Sequence, residues 1–566
     1  MNKDTLQILK SFDSSLKKKA VIIFLISLMI VPLEFLSIAA VIPLFSSIFE
    51  STSTNSVIDF SFLEINFFGE NRVANALILL LLLFFSKNLF LAFFFKKKFN
   101  YIFLIQKQIS RMMFFNYISS NYNFYVKNDS ATVIRNVINE VSFFTKGYLL
   151  AIIELVMEIL ALVTLAVFLI IYDTKTTISL LVFLTLVTYT IDRVKKSKIH
   201  EIGIKRFNYN RYIIQILSAT FKGIKEIKAN FLENKMLDEF NKRIFVKLFH
   251  EQKMSYISSL PRLLFELVCI VALSAIVFLN KDRVSNLGEI IAVYTFATFR
   301  VMPSFVKLTM ILQTMTHAKL SVETIRDHYL KKQDELKSNL KKMKKMLDEN
   351  KSKNFEKLKS LSIKINEFKY DQNIILKNFN LEVKKGEKIC ISGKSGSGKT
   401  TLIDIITGII DSKSLKFYLN GKELKDNQSF QKRTFSYIPQ NPTIFQTSIQ
   451  DNITLFDEEV DEEKYKKSIE LSRADFIKDF EERDFVEIAE DGTNLSGGQL
   501  QRIFIARAIY SDKEILIFDE STNELDFKTE DKIVDDILKL PKTVIFITHK
   551  EEIKKKFTKI IQIENK

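Results

Sequence analysis

Six long apolar stretches constrain this chain more than any other feature of its sequence. They lie at about 20–48, 73–95, 148–172, 177–194, 259–279 and 287–315. Several reach the roughly 20 apolar residues that carry an α-helix across a bilayer, a length that buried helices of soluble cores rarely sustain. The first stretch follows Lys17, Lys18 and Lys19. It is too long for a secretory h-region and lacks a small-residue cleavage site, so it reads as a retained anchor with its N-terminus in the cytosol.

Charge orients the spans. Lys96, Lys97, Lys98, Lys107 and Arg111 follow the second span, and Lys195, Lys196, Lys198, Lys205 and Arg206 follow the fourth. The loop after the first span carries Glu50, Asp59, Glu64 and Glu70 against Arg72. The positive-inside rule places the basic segments in the cytosol and the acidic loop outside. An even number of spans returns the chain to the cytosol near residue 316. The net charge of +16 is therefore assigned to a membrane face, and no nucleic-acid partner is expected.

The cytosolic connections 96–147 and 195–258 contain few Gly or Pro and read as helical continuations of the spans. Twenty-five helical residues going out and as many returning reach about 37 Å beyond the membrane. Asn123 to Ser130 and Ala229 to Asn234 are the expected tips. Cys269 and Cys390, the two cysteines, fall in unlike segments, so neither a disulfide nor a metal site is expected.

The expected division is a membrane domain over 1–330, a Lys-rich spacer over 331–360 and an α/β domain over 361–566. In the last of these, the strand Lys388-Ile389-Cys390-Ile391-Ser392 runs into Gly393, Lys394, Ser395, Gly396, Ser397, Gly398, Lys399, Thr400 and Thr401. This is a phosphate-binding loop in its strand–loop–helix setting. Glycines let backbone N–H groups wrap phosphates at a helix N-terminus. Lys399 is expected on the β- and γ-phosphates of ATP and Thr400 on Mg2+. The apolar strand Ile515-Leu516-Ile517-Phe518 ends in Asp519 and Glu520. Asp519 is expected to reach Mg2+, and Glu520 to act as general base toward the attacking water.

Between these elements stands Leu495-Ser496-Gly497-Gly498-Gln499. With this signature between its two phosphate-site motifs, the segment from about 361 to 566 resembles the ABC ATPase family. The resemblance implies roles for further residues. Tyr370 would stack on adenine. Gln440, in Tyr437-Ile438-Pro439-Gln440, would sense Mg2+ and the membrane domain. His549 would stand near the γ-phosphate. Asn523-Glu524-Leu525-Asp526 occupies the place of the family's Ser-Ala-Leu-Asp and departs from it at two positions. In that family Ser496, Gly497, Gly498 and Gln499 would complete the ATP site of the opposite subunit, so a homodimer with two competent sites is implied. The whole chain then reads as an ABC exporter half-transporter, six transmembrane helices followed by an ATPase. It would be a multi-pass protein of the bacterial inner membrane with its ATPase in the cytosol.

Ionisable residues inside spans are costly and functional by default. Glu34, Lys87, Glu154, Glu158, Arg262, Glu266, Arg300 and Lys307 all fall there. One reading pairs them within the bundle. The sharper reading gathers Lys87, Arg262 and Arg300 around a wet cavity that accepts an anionic headgroup. The membrane half is similar to the PglK-type flippases through Glu34 to Phe45, Lys87, Leu260-Pro261-Arg262 with Glu266, and Phe299-Arg300-Val301-Met302-Pro303. That similarity implies a polyprenyl-pyrophosphate oligosaccharide as cargo and a short external helix near Ile58 to Phe68. The alternatives are export of another lipid, a peptide or drugs. A peptidase-bearing exporter is disfavoured by the short stretch before the first span, which carries no Cys or His. Glu520 disfavours a channel or regulator with a degraded catalytic acid.

Overall fold

The computed structural model describes residues 3–40, 72–172, 174–279, 287–330, 356–370, 373–394, 396–481 and 487–563. They form two compact units, one carried mainly by residues up to Leu340 and the other mainly by Lys341–Lys566. The loop around Ile58 to Phe68 and the Lys-rich spacer as far as residue 355 lie outside the described residues.

The membrane unit is helical. Its main helices are α1 (Ser14–Ala39), α2 (Arg72–Ile118), α3 (Leu150–Tyr172), α4 (Thr174–Lys222), α5 (Glu233–Leu279) and α6 (Leu287–His317). Its described residues supply six helical segments long and apolar enough to cross a bilayer. Leu81, Phe85, Leu89, Leu263, Leu267, Ile270 and Phe278 are exposed on them, as expected for faces that meet hydrocarbon instead of water. Phe168, Leu169, Leu184, Phe265, Tyr294 and Phe305 pack between them. α2, α4 and α5 contain 47, 49 and 47 residues. At 1.5 Å per residue each is about 70 Å long, some 40 Å more than a hydrocarbon core of about 30 Å.

Short helices lie between the long ones. Tyr122–Lys127 covers most of the first expected tip. The second, Ile224–Ala229, sits five residues earlier than expected. Gly223 precedes it as its N-cap, and Phe231 takes a left-handed φ of 54°. Before α3 the chain passes from Ser130–Arg135 through two π-helical stretches, Asn136–Glu140 and Phe143–Leu149. There Glu140 Oε2 accepts from Arg206 Nη2 at 3.4 Å and from Ser321 Oγ at 2.6 Å, in a fully buried cluster tying three segments together. Where α4 passes the end of α6, a Cβ on Gly203 would meet the His317 carbonyl oxygen at 2.8 Å.

The second unit has two sheets. β1 (Ser360–Tyr370), β2 (Asn373–Lys384), β4 (Leu415–Leu419) and β5 (Lys422–Glu423) form an antiparallel sheet in the order β2-β1-β4-β5. β3 (Lys388–Gly393), β6 (Phe435–Ile438), β7 (Ile515–Asp519), β8 (Thr543–Ile547) and β9 (Lys559–Ile563) form a parallel sheet in the order β6-β7-β8-β3-β9. β7 and β8 are buried along their whole length, which is why they read as unbroken apolar runs. Alternate residues feed two cores: Ile389, Ile391, Ile515 and Ile517 on one face, Cys390, Leu516 and Phe518 on the other. Burial pushes the Cys390 thiol up to about 11, so it packs as an inert small hydrophobe. Parallel strands that end together place their functional residues at the carboxyl edge of the sheet.

Candidate ATP site

At that edge β3 runs through the glycine-rich loop into α7 (Lys399–Thr407). The loop closes tightly because a Cβ on Gly393 would stand 2.5 Å from the Ile563 carbonyl oxygen. Gly398, which caps α7, has a left-handed φ of 90° that side chains resist. The buried Lys399 folds back over the loop and donates from Nζ to the carbonyl oxygens of Gly393 at 2.8 Å and Lys394 at 2.9 Å. Ser397 Oγ is buried and has no hydrogen-bond partner among the described residues. Gly396 and Thr400 are exposed, Thr401 is half-buried, and Ser395 lies outside the described residues. An ammonium that can exchange two carbonyls for phosphate oxygens, at a helix N-terminus, suits a nucleotide triphosphate.

Asp519 ends β7 and is buried, and Tyr437 donates its hydroxyl to Oδ2 at 3.3 Å. Burial raises its carboxyl to about 6. Neighbouring Glu520 and Asp404 push the same way, while hydrogen bonds from Tyr437 and Thr400 oppose them. A buried acid with acidic neighbours and a threonine hydroxyl beside it fits a divalent cation. No cluster of three or more His, Cys, Asp or Glu suited to a metal occurs among the described residues. Mg2+ takes few protein ligands and completes its shell with phosphate oxygens and water.

Glu520 turns the chain sharply out of β7, with a φ of 48° and its N–H bonded to the Ile547 carbonyl at 3.0 Å. Left-handed backbone at a non-glycine residue costs about 1–3 kcal/mol and concentrates at functional sites. Gln440 Nε2 donates to Glu520 Oε2 at 3.0 Å, and His549 Nε2 stands 3.1 Å from Oε1. The three residues expected to be catalytic thus meet at one carboxylate. Asn523 Nδ2 also donates to Oε2, at 3.2 Å, a contact the sequence reading did not anticipate. Thr522 beyond the base is locked by Oγ1 donating to buried Glu530 at 2.7 Å, which also receives Lys550 Nζ at 2.6 Å.

The signature residues open α8 (Gly497–Tyr510), where Ser496 and Gln499 form a reciprocal capping box at 3.2 and 2.8 Å. No hydrogen bond described joins Ser496, Gly497, Gly498 or Gln499 to this chain's own phosphate loop. Glu524 lies against Gly497, and its N–H donates to Gln501 Oε1 at 3.0 Å. A cavity of about 280 Å³ opens among Gln440, Gly497, Gln501, Ser521 and Glu524. Asp526 caps α9 (Phe527–Lys539) by accepting from Thr529 N at 3.0 Å. Tyr370 closes β1, with its ring outside the described residues.

In the membrane unit, buried Lys87 stands 3.7 Å from buried Glu34, its ammonium 4.2 Å above the Phe84 ring. Exposed Arg262 pairs with Glu266 one turn along at 3.3 Å. The side chain of Arg300 lies outside the described residues. Lys307 pairs with Glu158 at 2.8 Å and Lys98 with Glu154 at 2.9 Å. The two described basic residues thus each have a carboxylate partner of their own.

Residues 376–523 match the family described as ABC transporter. The chain is 38% identical over 195 residues to the lactococcin-A transport/processing ATP-binding protein LcnC of Lactococcus lactis subsp. lactis, covering 34% of this chain and 27% of that one. It is 37% identical over 204 residues to the alpha-hemolysin translocation ATP-binding protein HlyB of Escherichia coli O157:H7, covering 35% and 29%. The chain thus spans less than a third of these relatives' length. Its fold is similar to a bacterial Atm1-family ABC exporter with ATP bound, at a TM-score of 0.77 and 16% identity, over 97% of this chain and 94% of that one. The second unit is accordingly an ABC ATPase domain, of a kind that uses ATP with Mg2+. With six membrane helices before it, the chain is a multi-pass membrane protein whose ATPase domain is cytoplasmic.

Proposed function

We propose that two copies of this chain form an exporter that couples ATP hydrolysis to outward movement of an amphiphilic, anionic cargo. The observation that carries the ATPase part is the convergence of Gln440, Glu520 and His549 beside Asp519 at the carboxyl end of β7. In this reading Lys399 releases the loop carbonyls and takes the β- and γ-phosphates. Thr400, Asp519 and Gln440 would hold Mg2+, which spreads the charge of those phosphates. Glu520 orients the attacking water and accepts its proton as the new O–P bond forms and the bond from the γ-phosphorus to the β–γ bridging oxygen breaks, so that ADP leaves, and it then passes that proton to the released phosphate. His549 stands where it can donate to the γ-phosphate. Ser496 and the glycines after it would serve the partner's nucleotide, as the resemblance to the ABC ATPase family implies, which is the basis for two chains.

For the cargo, the resemblance at Lys87, Arg262 and Arg300 favours a polyprenyl-pyrophosphate oligosaccharide, whose charge crosses hydrocarbon only along a wet, cationic path. Such a headgroup would have to draw Lys87 from Glu34 and Arg262 from Glu266. A second reading, export of a peptide or protein, is favoured by the relatives, a lactococcin-A transport/processing protein and an alpha-hemolysin translocation protein.

The test is a proteoliposome assay with the purified chain and ATP, offering a polyprenyl-pyrophosphate oligosaccharide in one arm and a labelled peptide in the other. ATP-dependent movement of the lipid, lost when Lys87, Arg262 and Arg300 are all neutralised while basal ATPase persists, is the expected result. Movement of the peptide alone would replace the lipid reading with the second one.

A further inference from the structure

Glu520 is surrounded by more donors than its proposed task allows it to keep. A carboxylate accepts only, through two oxygens. Here Oε2 receives Gln440 Nε2 and Asn523 Nδ2, while Oε1 faces His549 Nε2. Under the proposed function Gln440 has a second assignment at Mg2+ and His549 a second one at the γ-phosphate. Asn523 has neither, and it belongs to the same turn as the base.

That turn is held by hydrogen bonds within the chain. The Asn523 N–H reaches the Glu520 carbonyl at 3.4 Å, and the Leu525 N–H the Thr522 carbonyl at 3.2 Å. On one side of Asn523, Thr522 is tied to buried Glu530 at 2.7 Å; on the other, the Glu524 N–H is tied to Gln501 at 3.0 Å. The side chain of Asn523 therefore springs from an anchored backbone, and only its NH2 can face a carboxylate.

We infer that Asn523 is a positioning residue: it holds Glu520 Oε2 by a local hydrogen bond and leaves Oε1 for the attacking water once His549 turns to the nucleotide. This rests on the proposed role of Glu520 as general base. The position is one of the two where the chain departs from the Ser-Ala-Leu-Asp pattern of the family it resembles. A serine hydroxyl there stands one bond closer to the backbone and reaches less far, so the asparagine is matched to this carboxylate.

The experiment is steady-state ATPase kinetics of the purified full chain and of Asn523→Asp, Asn523→Ala and Asn523→Ser, with a thermal melt of each. Asn523→Ala deletes the donor without adding charge, and Asn523→Asp keeps the shape but sets a second carboxylate against Glu520. A hydrogen bond to a charged group is worth enough that its loss should lower kcat about tenfold. KM for ATP and the melting temperature should hold near wild type in both donor-free variants, and serine should restore part of kcat. Wild-type kcat in Asn523→Ala overturns the inference. So does a fall in kcat matched by a rise in KM or by a lower melting temperature. A wild-type chain without ATPase activity fails the proposed function itself, a result separable from any ranking of the Asn523 variants.

Discussion

The Glu524 carboxylate lies directly over Gly497: a Cβ on that glycine would collide with Glu524 Oε2. Gly497 is the first residue of α8, so a negative side chain rests at a helix N-terminus, where the dipole favours it. If the same N-terminus must receive the partner's γ-phosphate, the carboxylate has to leave first. Glu524→Ala should then lower KM for ATP about two- to fivefold, the equivalent of a surface charge at a helix end. The effect should shrink at high salt, and steady-state kinetics in two salt concentrations decide it. An unchanged KM at low salt removes Glu524 from this role.

Two substitutions separate binding from chemistry. Lys399→Ala should abolish binding of a fluorescent ATP analogue, because the phosphate loop loses its ammonium. Glu520→Gln should retain that binding and lower turnover by about 10²–10⁴-fold, the usual contribution of a general base. Turnover close to wild type in Glu520→Gln would refute the assignment.

Asp404 supplies a pH test within the ATPase domain. It is half-buried on α7, and burial raises its carboxyl from 3.8 to about 6. The folded state therefore resists its ionisation more than the unfolded state does. Well below pH 4 the group is neutral in both states and costs nothing. The cost grows up to about pH 6 and stays constant above. Asp404→Asn should stabilise the domain by up to about 3 kcal/mol at pH 7.5 and by only about 0.5 kcal/mol at pH 4. Thermal melts at the two pH values measure this, and an equal gain at both would point to packing instead.

The pairing of Lys87 with Glu34 makes its own prediction. Both are buried within the membrane helices, and removing one partner of a buried pair leaves the other uncompensated, at about 3–5 kcal/mol. Lys87→Met should lower the melting temperature of the detergent-solubilised chain, and adding Glu34→Gln should restore it. If the single variant melts like wild type, the pair carries no such weight.

Much of this molecule can be read from its residues. The spans follow from unbroken apolar runs, and the parallel sheet from β7 and β8 being apolar on both faces. Motifs single out Glu520, Gln440 and His549 one at a time, and the fold gathers them. What escaped the sequence depends on directions that side chains take in three dimensions. Nothing in Asn523 or Glu524 states that one turns to the base and the other to Gly497. The paired residues Lys307 and Glu158 are 149 positions apart, so no local spacing announces them. The tip Ile224–Ala229 lies earlier than composition suggests because it is set by Gly223 and the left-handed Phe231, and the surrounding composition hardly changes there.

The length of α2, α4 and α5 has a mechanical meaning. A rigid rod that projects about 40 Å beyond the bilayer turns a tilt of about 5° at the membrane into about 3.5 Å of travel at its far end. The same ratio run backwards gears a displacement of atomic size at the tips down to a few degrees of rotation among the spans.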